Sequence, residues 1–229
     1  MSKVGLVTYN VLTENYCNKK QFSKNDPNYL RNDKRKKKIK EFIEKWITQG
    51  KIICLQEVSR NFSEELTVLF SNKNYTYIDS LYGNSYNGYM GVAIAYPHNH
   101  YELLDCKIKK ISDVFQKIKK RCCEQITDVF KSYLPKCCKD DNTCFDKASW
   151  RKNTAIALKL KEKSSFVLNK DDYSSIPFWA VTYHMPCTWK DPRIMMIHTA
   201  SLGKFIDNIT DCREHCILGI DFNSQPDSH

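Results

Sequence analysis

An amphipathic helix set between two strand-like runs constrains this chain more than any other feature. From Asp33 to Gly50, Ile39, Phe42, Ile43, Trp46 and Ile47 recur at the spacing of one helix face, and Gly50 supplies a C-terminal stop. Val4–Val11 before it alternates and is rich in β-branched residues, and Lys51–Val58 after it is an apolar run of strand length. The alternation continues down the chain. Ser63 has the character of an N-cap, with Glu64 and Glu65 in the first turn and Leu66, Leu69 and Phe70 as the buried side. Tyr75–Tyr82, Val92–Tyr96 and Tyr101–Ile108 read as strands, the first two separated by a turn-rich segment from Gly83 to Gly88. Thr154–Leu160 and Phe178–His184 read as strands, Pro192–Cys212 as a helix and Cys216–Ile220 as the last strand. Helices interleave with strands and several strands adjoin directly, which predicts one mixed α/β domain. Residues 110–150 stand apart as a basic, cysteine-bearing helical insertion broken near Pro135.

Composition fits a chain with a substantial core. Of 229 residues 41% are hydrophobic and 27% charged, with 7 Gly and 7 Pro, which excludes collagen-like, low-complexity and acidic disordered chains. No apolar run approaches the ~18–20 residues of a bilayer span, and the N-terminus lacks a signal-peptide pattern. The expectation is a soluble intracellular protein, cytoplasmic or nuclear, and not secreted. Eleven cysteines agree with that, since an odd number cannot all pair and a chain of this length does not need disulfides. Cys54, Cys187 and Cys216 lie in or beside strand-like runs, where a free thiol acts as a small hydrophobe. Cys122, Cys123, Cys137, Cys138 and Cys144 have poor spacing for zinc.

The net charge of +10 is concentrated. Residues 31–40 hold seven basic side chains against Asp33, and residues 107–121 hold seven against Asp113. Such patches attract polyanions, or are solvated helix faces. Arg35, Lys36, Lys37 and Lys38 are the expected nucleic-acid contacts.

Four strands end on polar side chains that a purely structural strand does not need. Asn10 ends the first and Glu57 the second. His184 ends Val181-Thr182-Tyr183-His184, and Asp221 and Asn223 close the last. Ligand sites in α/β proteins gather at strand ends, where side chains from several strands converge. Singly, each has a plain structural reading: a surface acid, a hydrogen-bonded core histidine, a turn residue before Pro226.

Together, and in this order, they resemble the endonuclease/exonuclease/phosphatase superfamily of DNases, abasic-site endonucleases, inositol polyphosphate phosphatases and deadenylases. The words that carry the resemblance are Thr8-Tyr9-Asn10-Val11-Leu12, Leu55-Gln56-Glu57-Val58, Thr182-Tyr183-His184-Met185-Pro186 and Gly219-Ile220-Asp221-Phe222-Asn223-Ser224-Gln225-Pro226. The first two are most similar to the deadenylase branch. Tyr183 to Cys187, Arg151-Lys152-Asn153 and Met196-Ile197-His198 are more similar to members from large DNA viruses and protists. The resemblance implies a DNase-like four-layer α/β/β/α sandwich and a Mg²⁺-dependent phosphodiesterase of nucleic acid, with Mn²⁺ as the substitute ion. It implies Glu57 and Asn10 at the metal and His184 donating to a non-bridging phosphate oxygen. Asp221 would orient or deprotonate the attacking water, with Asn223 and Asn153 at the phosphate. The chemistry is coherent: Mg²⁺ prefers hard carboxylate oxygens while keeping most of its waters, and polarises a phosphoryl oxygen.

One departure stands out. The family carries a Ser-Asp-His ending several tens of residues beyond its Gly-Asp-Phe-Asn box, whereas here Asp227-Ser228-His229 follows the box at once. The expectation is a single domain over 1–229 without its last strands, which binds metal and nucleic acid weakly, turns over little and self-associates. Other readings stay open. The chain could be an inositol-phosphate or phospholipid phosphoesterase on the same fold, an inactive nucleic-acid-binding remnant, or a viral scaffold protein whose polar strand ends are structural.

Overall fold

The computed structural model describes residues 4–114, 142–163, 176–211 and 214–223. Among them, strands β1 (Leu6–Asn10), β2 (Ile52–Val58), β3 (Tyr75–Leu81) and β4 (Gly91–Pro97) form one sheet in the order β1-β2-β4-β3. Strands β5 (Tyr101–Lys110), β6 (Thr154–Glu162), β7 (Phe178–His184) and β8 (His215–Asp221) form a second in sequence order. β1 and β2 are parallel, as are β7 and β8, while the other neighbours are antiparallel. A parallel pair needs a long crossover. Helix α1 (Asn32–Thr48) lies in the first crossover and α4 (Pro192–Ile209) in the second.

The layers follow from where the apolar residues go. Ile39 and Ile43 of α1, with Phe62, Leu66 and Phe70 of α2 (Arg60–Ser71), pack on Ile53, Leu55, Val58, Ala93 and Ala95 of the first sheet. Leu202 and Phe205 of α4 pack on Ala155, Ala157, Trp179 and Val181 of the second. Between the sheets lie Ile52, Cys54, Val92, Ile94, Ile156, Leu158 and Ala180. Helix, sheet, sheet, helix is the expected four-layer order. Helix α3 (Asn142–Ser149) sits against α4 through Cys144, Ala148, Ile194 and Ile197.

Two local expectations need correction. The N-cap of α2 is Ser59, whose Oγ accepts from the Phe62 amide at 3.3 Å. Ser63 is instead buried inside the helix, with its hydroxyl on Tyr77 and Asp79, because the apolar Phe62 draws the first turn into the core. Phe42 was counted on the buried face of α1 but is exposed, stacked on Trp46 with centroids 6.2 Å apart. Of the expected insertion, residues 115–141 lie outside the described residues, as do Cys122, Cys123, Cys137 and Cys138. The Asp227-Ser228-His229 ending lies outside them too.

A polar tie joins the two sheets. Gln56, buried in the apolar run of β2, donates from Nε2 to Thr8 Oγ1, to Thr182 Oγ1 and to the Gly219 carbonyl, each at 3.1 Å. Beside it the sheets approach closely. A Cβ on Gly219 would meet Cys54 Cβ and Sγ at 2.7 Å and Leu6 Cδ2 at 3.0 Å. Burial pushes the Cys54 thiol up to about 12, so it stays a neutral packing group. A Gly219→Ala chain is therefore expected to lose about 1–3 kcal/mol by overpacking. An unchanged urea midpoint would show that the sheets can part without penalty there.

Candidate active site

Glu57 is an extra residue in its strand. Gln56 pairs with Val92 and Val58 with Gly91, so Glu57 has no partner of its own and forms a β-bulge with φ of 57°. A bulge re-aims one side chain without ending the strand. Opposite it, a Cβ on Gly91 would overlap the Ser80 carbonyl, which explains the glycine. Glu57 Oε1 accepts from Asn10 Nδ2 at 2.9 Å and Oε2 from the Thr13 amide at 3.2 Å. Asn10 gives its other amide hydrogen to Asp221 Oδ2 at 2.7 Å, and its Oδ1 accepts from the Leu12 amide at 2.8 Å. One asparagine from the first sheet thus clamps a carboxylate from each sheet.

The second sheet supplies the other half. The Met185 amide donates to the Asp221 carbonyl at 2.9 Å, and the Asn223 amide to Asp221 Oδ1 at 2.8 Å. Asn223 Nδ2 reaches the Met185 carbonyl at 2.6 Å and His184 Nε2 at 2.9 Å. His184 Nε2 also lies 3.8 Å from Glu57 Oε1 and 3.9 Å from Asp221 Oδ2, too far for a direct hydrogen bond. Burial pushes the imidazole below its ordinary value, while Glu57 and Asp221 pull it back up. Its Nδ1 is buried without a hydrogen-bond partner among the described residues. An orphan of this kind costs roughly 1–3 kcal/mol and is characteristic of functional sites. The backbone carries strain here as well. Leu12 (φ 51°), Glu57 and Asn223 (φ 52°) are three of the five non-glycine residues with positive φ among the described residues.

A cleft of about 700 Å³ opens over these groups, lined by Glu57, His184, Asn153 and Asn223, with Arg151 and Lys152 on its wall. Asn153 Nδ2 donates to the His184 carbonyl at 2.8 Å and lies 3.4 Å from the Tyr82 hydroxyl. The structure therefore brings together Asn10, Glu57, Asn153, His184, Asp221 and Asn223. It does not bring Arg35, Lys36, Lys37 or Lys38 to the cleft. Arg35 Nη2 donates to the Val11 and Leu12 carbonyls, both at 2.9 Å, and so braces the strained turn behind Asn10. Lys36 pairs with Glu65 at 2.9 Å and Lys38 with Glu41 at 3.1 Å, and Lys37 is exposed. Sequence reasoning missed Gln56 and Thr13. The signal for Gln56 was present, because a polar side chain inside a buried apolar strand must find partners.

The donor set fits a hard divalent cation. Glu57 and Asp221 face the same gap, and no Lys or Arg among the described residues pairs with either. Each carboxylate accepts two hydrogen bonds and keeps further lone pairs. Among the described residues no group of three or more His, Cys, Asp and Glu side chains could hold a metal ion. A site of one or two carboxylates with several retained waters is the kind that Mg²⁺ takes.

No protein-family profile and no curated protein matches the sequence. Solved structures do match its fold. The human nocturnin catalytic domain superimposes with a TM-score of 0.65 at 18% identity, over 98% of this chain and 65% of that one. ANGEL2 gives 0.62 at 17% identity, over 96% and 52%. An endonuclease/exonuclease/phosphatase protein from Bacteroides vulgatus gives 0.59 at 16% identity, over 98% and 67%. The chain has the endonuclease/exonuclease/phosphatase fold, and it spans about two thirds of the length of nocturnin's domain and half that of ANGEL2.

Proposed function

We propose that this chain is a Mg²⁺-dependent phosphodiesterase of the endonuclease/exonuclease/phosphatase family that hydrolyses nucleic acid. The observation that carries the reading is the convergence of Glu57, His184, Asp221 and Asn223 from both sheets on one gap, with two carboxylates and no Lys or Arg of the described residues paired to them. Glu57 is the residue that would hold the ion, and Asn10 fixes the angle of its carboxylate. When bound, Mg²⁺ polarises a phosphoryl oxygen and stabilises the leaving one.

The remaining steps belong to the protein's own groups. Asp221, held through both oxygens, keeps lone pairs with which to orient an attacking water. His184 rests neutral because burial disfavours its charge. A proton taken at Nε2 displaces the hydrogen bond from Asn223 Nδ2; Glu57 and Asp221 then stabilise the cation, and the group can donate to a phosphate oxygen as negative charge builds there. Asn223 fixes the ring, and Asn153 stands on the cleft wall where a phosphate would lie.

ANGEL2 is a 2′,3′-cyclic phosphatase that has been seen with adenosine-2′,3′-vanadate, which supports a nucleotide-derived substrate here. The same fold also serves a mannosyl-6-phosphatase of Bacteroides thetaiotaomicron, so a fold match alone does not fix the substrate. The test is a panel: poly(A), single-stranded and duplex DNA, an inositol phosphate and mannose 6-phosphate, each with and without Mg²⁺. Mg²⁺-dependent cleavage of nucleic acid that falls by ~10²-fold or more in Asp221→Asn is the expected result. Turnover of the small phosphates alone would overturn the nucleic-acid reading. No turnover of any substrate would favour an inactive binding protein.

A further inference from the structure

The two most exposed large apolar side chains among the described residues are Tyr86, at 79%, and Trp150, at 76%. Both line the catalytic cleft. Scattered exposed aromatics are ordinary, but two at the mouth of one polar cleft beside Arg151 and Lys152 are not explained by packing. Both are mounted on braced backbone. Tyr86 sits in a short 3-10 turn (Ser85–Asn87) closed by a capping box between Asn84 and Asn87. Its amide donates to Asn84 Oδ1 at 3.0 Å, its carbonyl accepts from Asn15 Nδ2 at 3.0 Å, and Tyr16 meets its ring edge-on. Trp150 follows α3, whose Ala148 carbonyl accepts from buried His198 Nε2 at 3.1 Å and from the Arg151 amide at 3.2 Å. His198 Nδ1 is in turn fixed by the Tyr183 hydroxyl at 2.7 Å. Solvent-facing rings on braced backbone next to cations are what base stacking with phosphate contact requires.

We propose that Tyr86 and Trp150 are stacking platforms for unpaired bases, with Arg151 and Lys152 on the adjoining phosphates, so that the site selects single-stranded nucleic acid. The proposal deepens the nucleic-acid reading and rests on it. In a duplex the base faces are already covered by their neighbours, and an exposed ring finds only edges and backbone. In a single strand each base offers a free face, and stacking is tolerant of sequence.

The experiment titrates the full chain against fluorescently labelled single-stranded DNA, single-stranded RNA and duplex DNA of one sequence, reading anisotropy in EDTA so that cleavage plays no part. Single strands are expected to bind about tenfold or more tighter than duplex. Tyr86→Ala and Trp150→Ala should each weaken single-strand binding by about 5-fold to 150-fold and leave duplex binding within about twofold. Both rings are exposed, so the fold is not at risk, and Tyr86→Phe and Trp150→Phe should restore most of the affinity. Arg151→Gln should instead lower affinity for every probe and reduce the salt slope by about 1. Preference for DNA or RNA in the single-strand arms identifies the source of the bases. Equal binding of single strand and duplex, alanine variants that match the parent, or no binding of any probe would each overturn the proposal. The nucleic-acid reading stands or falls separately, on whether the parent chain with Mg²⁺ cleaves nucleic acid at all.

Discussion

Replacing Glu57 by glutamine is expected to weaken Mg²⁺ binding by more than about 100-fold, since even the outer partners of metal ligands are worth about 10–100-fold. The substitution conserves shape but not hydrogen bonding. Asn10 Nδ2 and the Thr13 amide both donate to the carboxylate, one to each oxygen. A glutamine turns an amide NH₂ toward one of those donors, so a local cost of about 1–3 kcal/mol accompanies the loss of charge. Calorimetric titration of Mg²⁺ separates the two effects, with urea unfolding in EDTA reporting the structural part. A Glu57→Gln chain that binds Mg²⁺ as tightly as its parent would sink the metal assignment.

The second large effect is a loss of stability in mild acid. His198 is buried between α3 and α4, and burial is the main cause that lowers its pKa from 6.5 to about 4; the Arg151 charge adds to this and the Ala148 carbonyl opposes it. The ring donates from Nε2 to a carbonyl, so its neutral form must accept at Nδ1 from the Tyr183 hydroxyl. Above about pH 6.5 both folded and unfolded chains hold it neutral. As pH falls toward 4 the unfolded chain takes up the proton first, and stability falls by something on the order of 3 kcal/mol. His184, pushed the same way by burial, adds to the slope. Urea midpoints measured between pH 7 and pH 4 should show this decline, and His198→Gln should flatten it whatever its absolute stability. A parent chain equally stable at pH 7 and pH 4.5 would mean that the imidazole is not buried neutral.

Much of this was legible in the residues, for physical reasons that also mark where legibility stops. Strand β7 falls where its apolar run lies; β4, β5, β6 and β8 are each two residues longer than read, because pairing carries polar ends such as Lys109 and Lys110 into the ladder, and β1, β2 and β3 are one to three residues shorter. The strand-end positions Asn10, Glu57, His184 and Asp221 converge because strand ends gather at one edge of a sandwich. The bulge at Glu57 and the left-handed Leu12 were not legible, since nothing in a glutamate or a leucine announces a positive φ. The basic run 31–40 lies away from the cleft. Composition counts lysines but not their partners: Glu65 is shared by Lys36 and Lys40 across to α2, and Glu41 pairs with Lys38 along α1. Among the described residues the cations on the cleft are Arg151 and Lys152, which in the sequence stand out only as part of a word shared with the family.

The order of strands has a consequence for how the activity comes into being. Everything in the first sheet lies before His98, and everything in the second after His100. Asn10 and Glu57 are thus inherited from one half of the chain, and His184, Asp221 and Asn223 from the other. During synthesis the groups of the first half emerge before those of the second, and the site exists only once the two halves close on each other. The same order makes Asn99 a natural place to divide the gene into two separately expressed fragments, each carrying one of the two described sheets and neither with all of the site's groups. If the proposed hydrolysis is this chain's activity, it would register their reunion, as an assembly signal that is silent until both pieces meet.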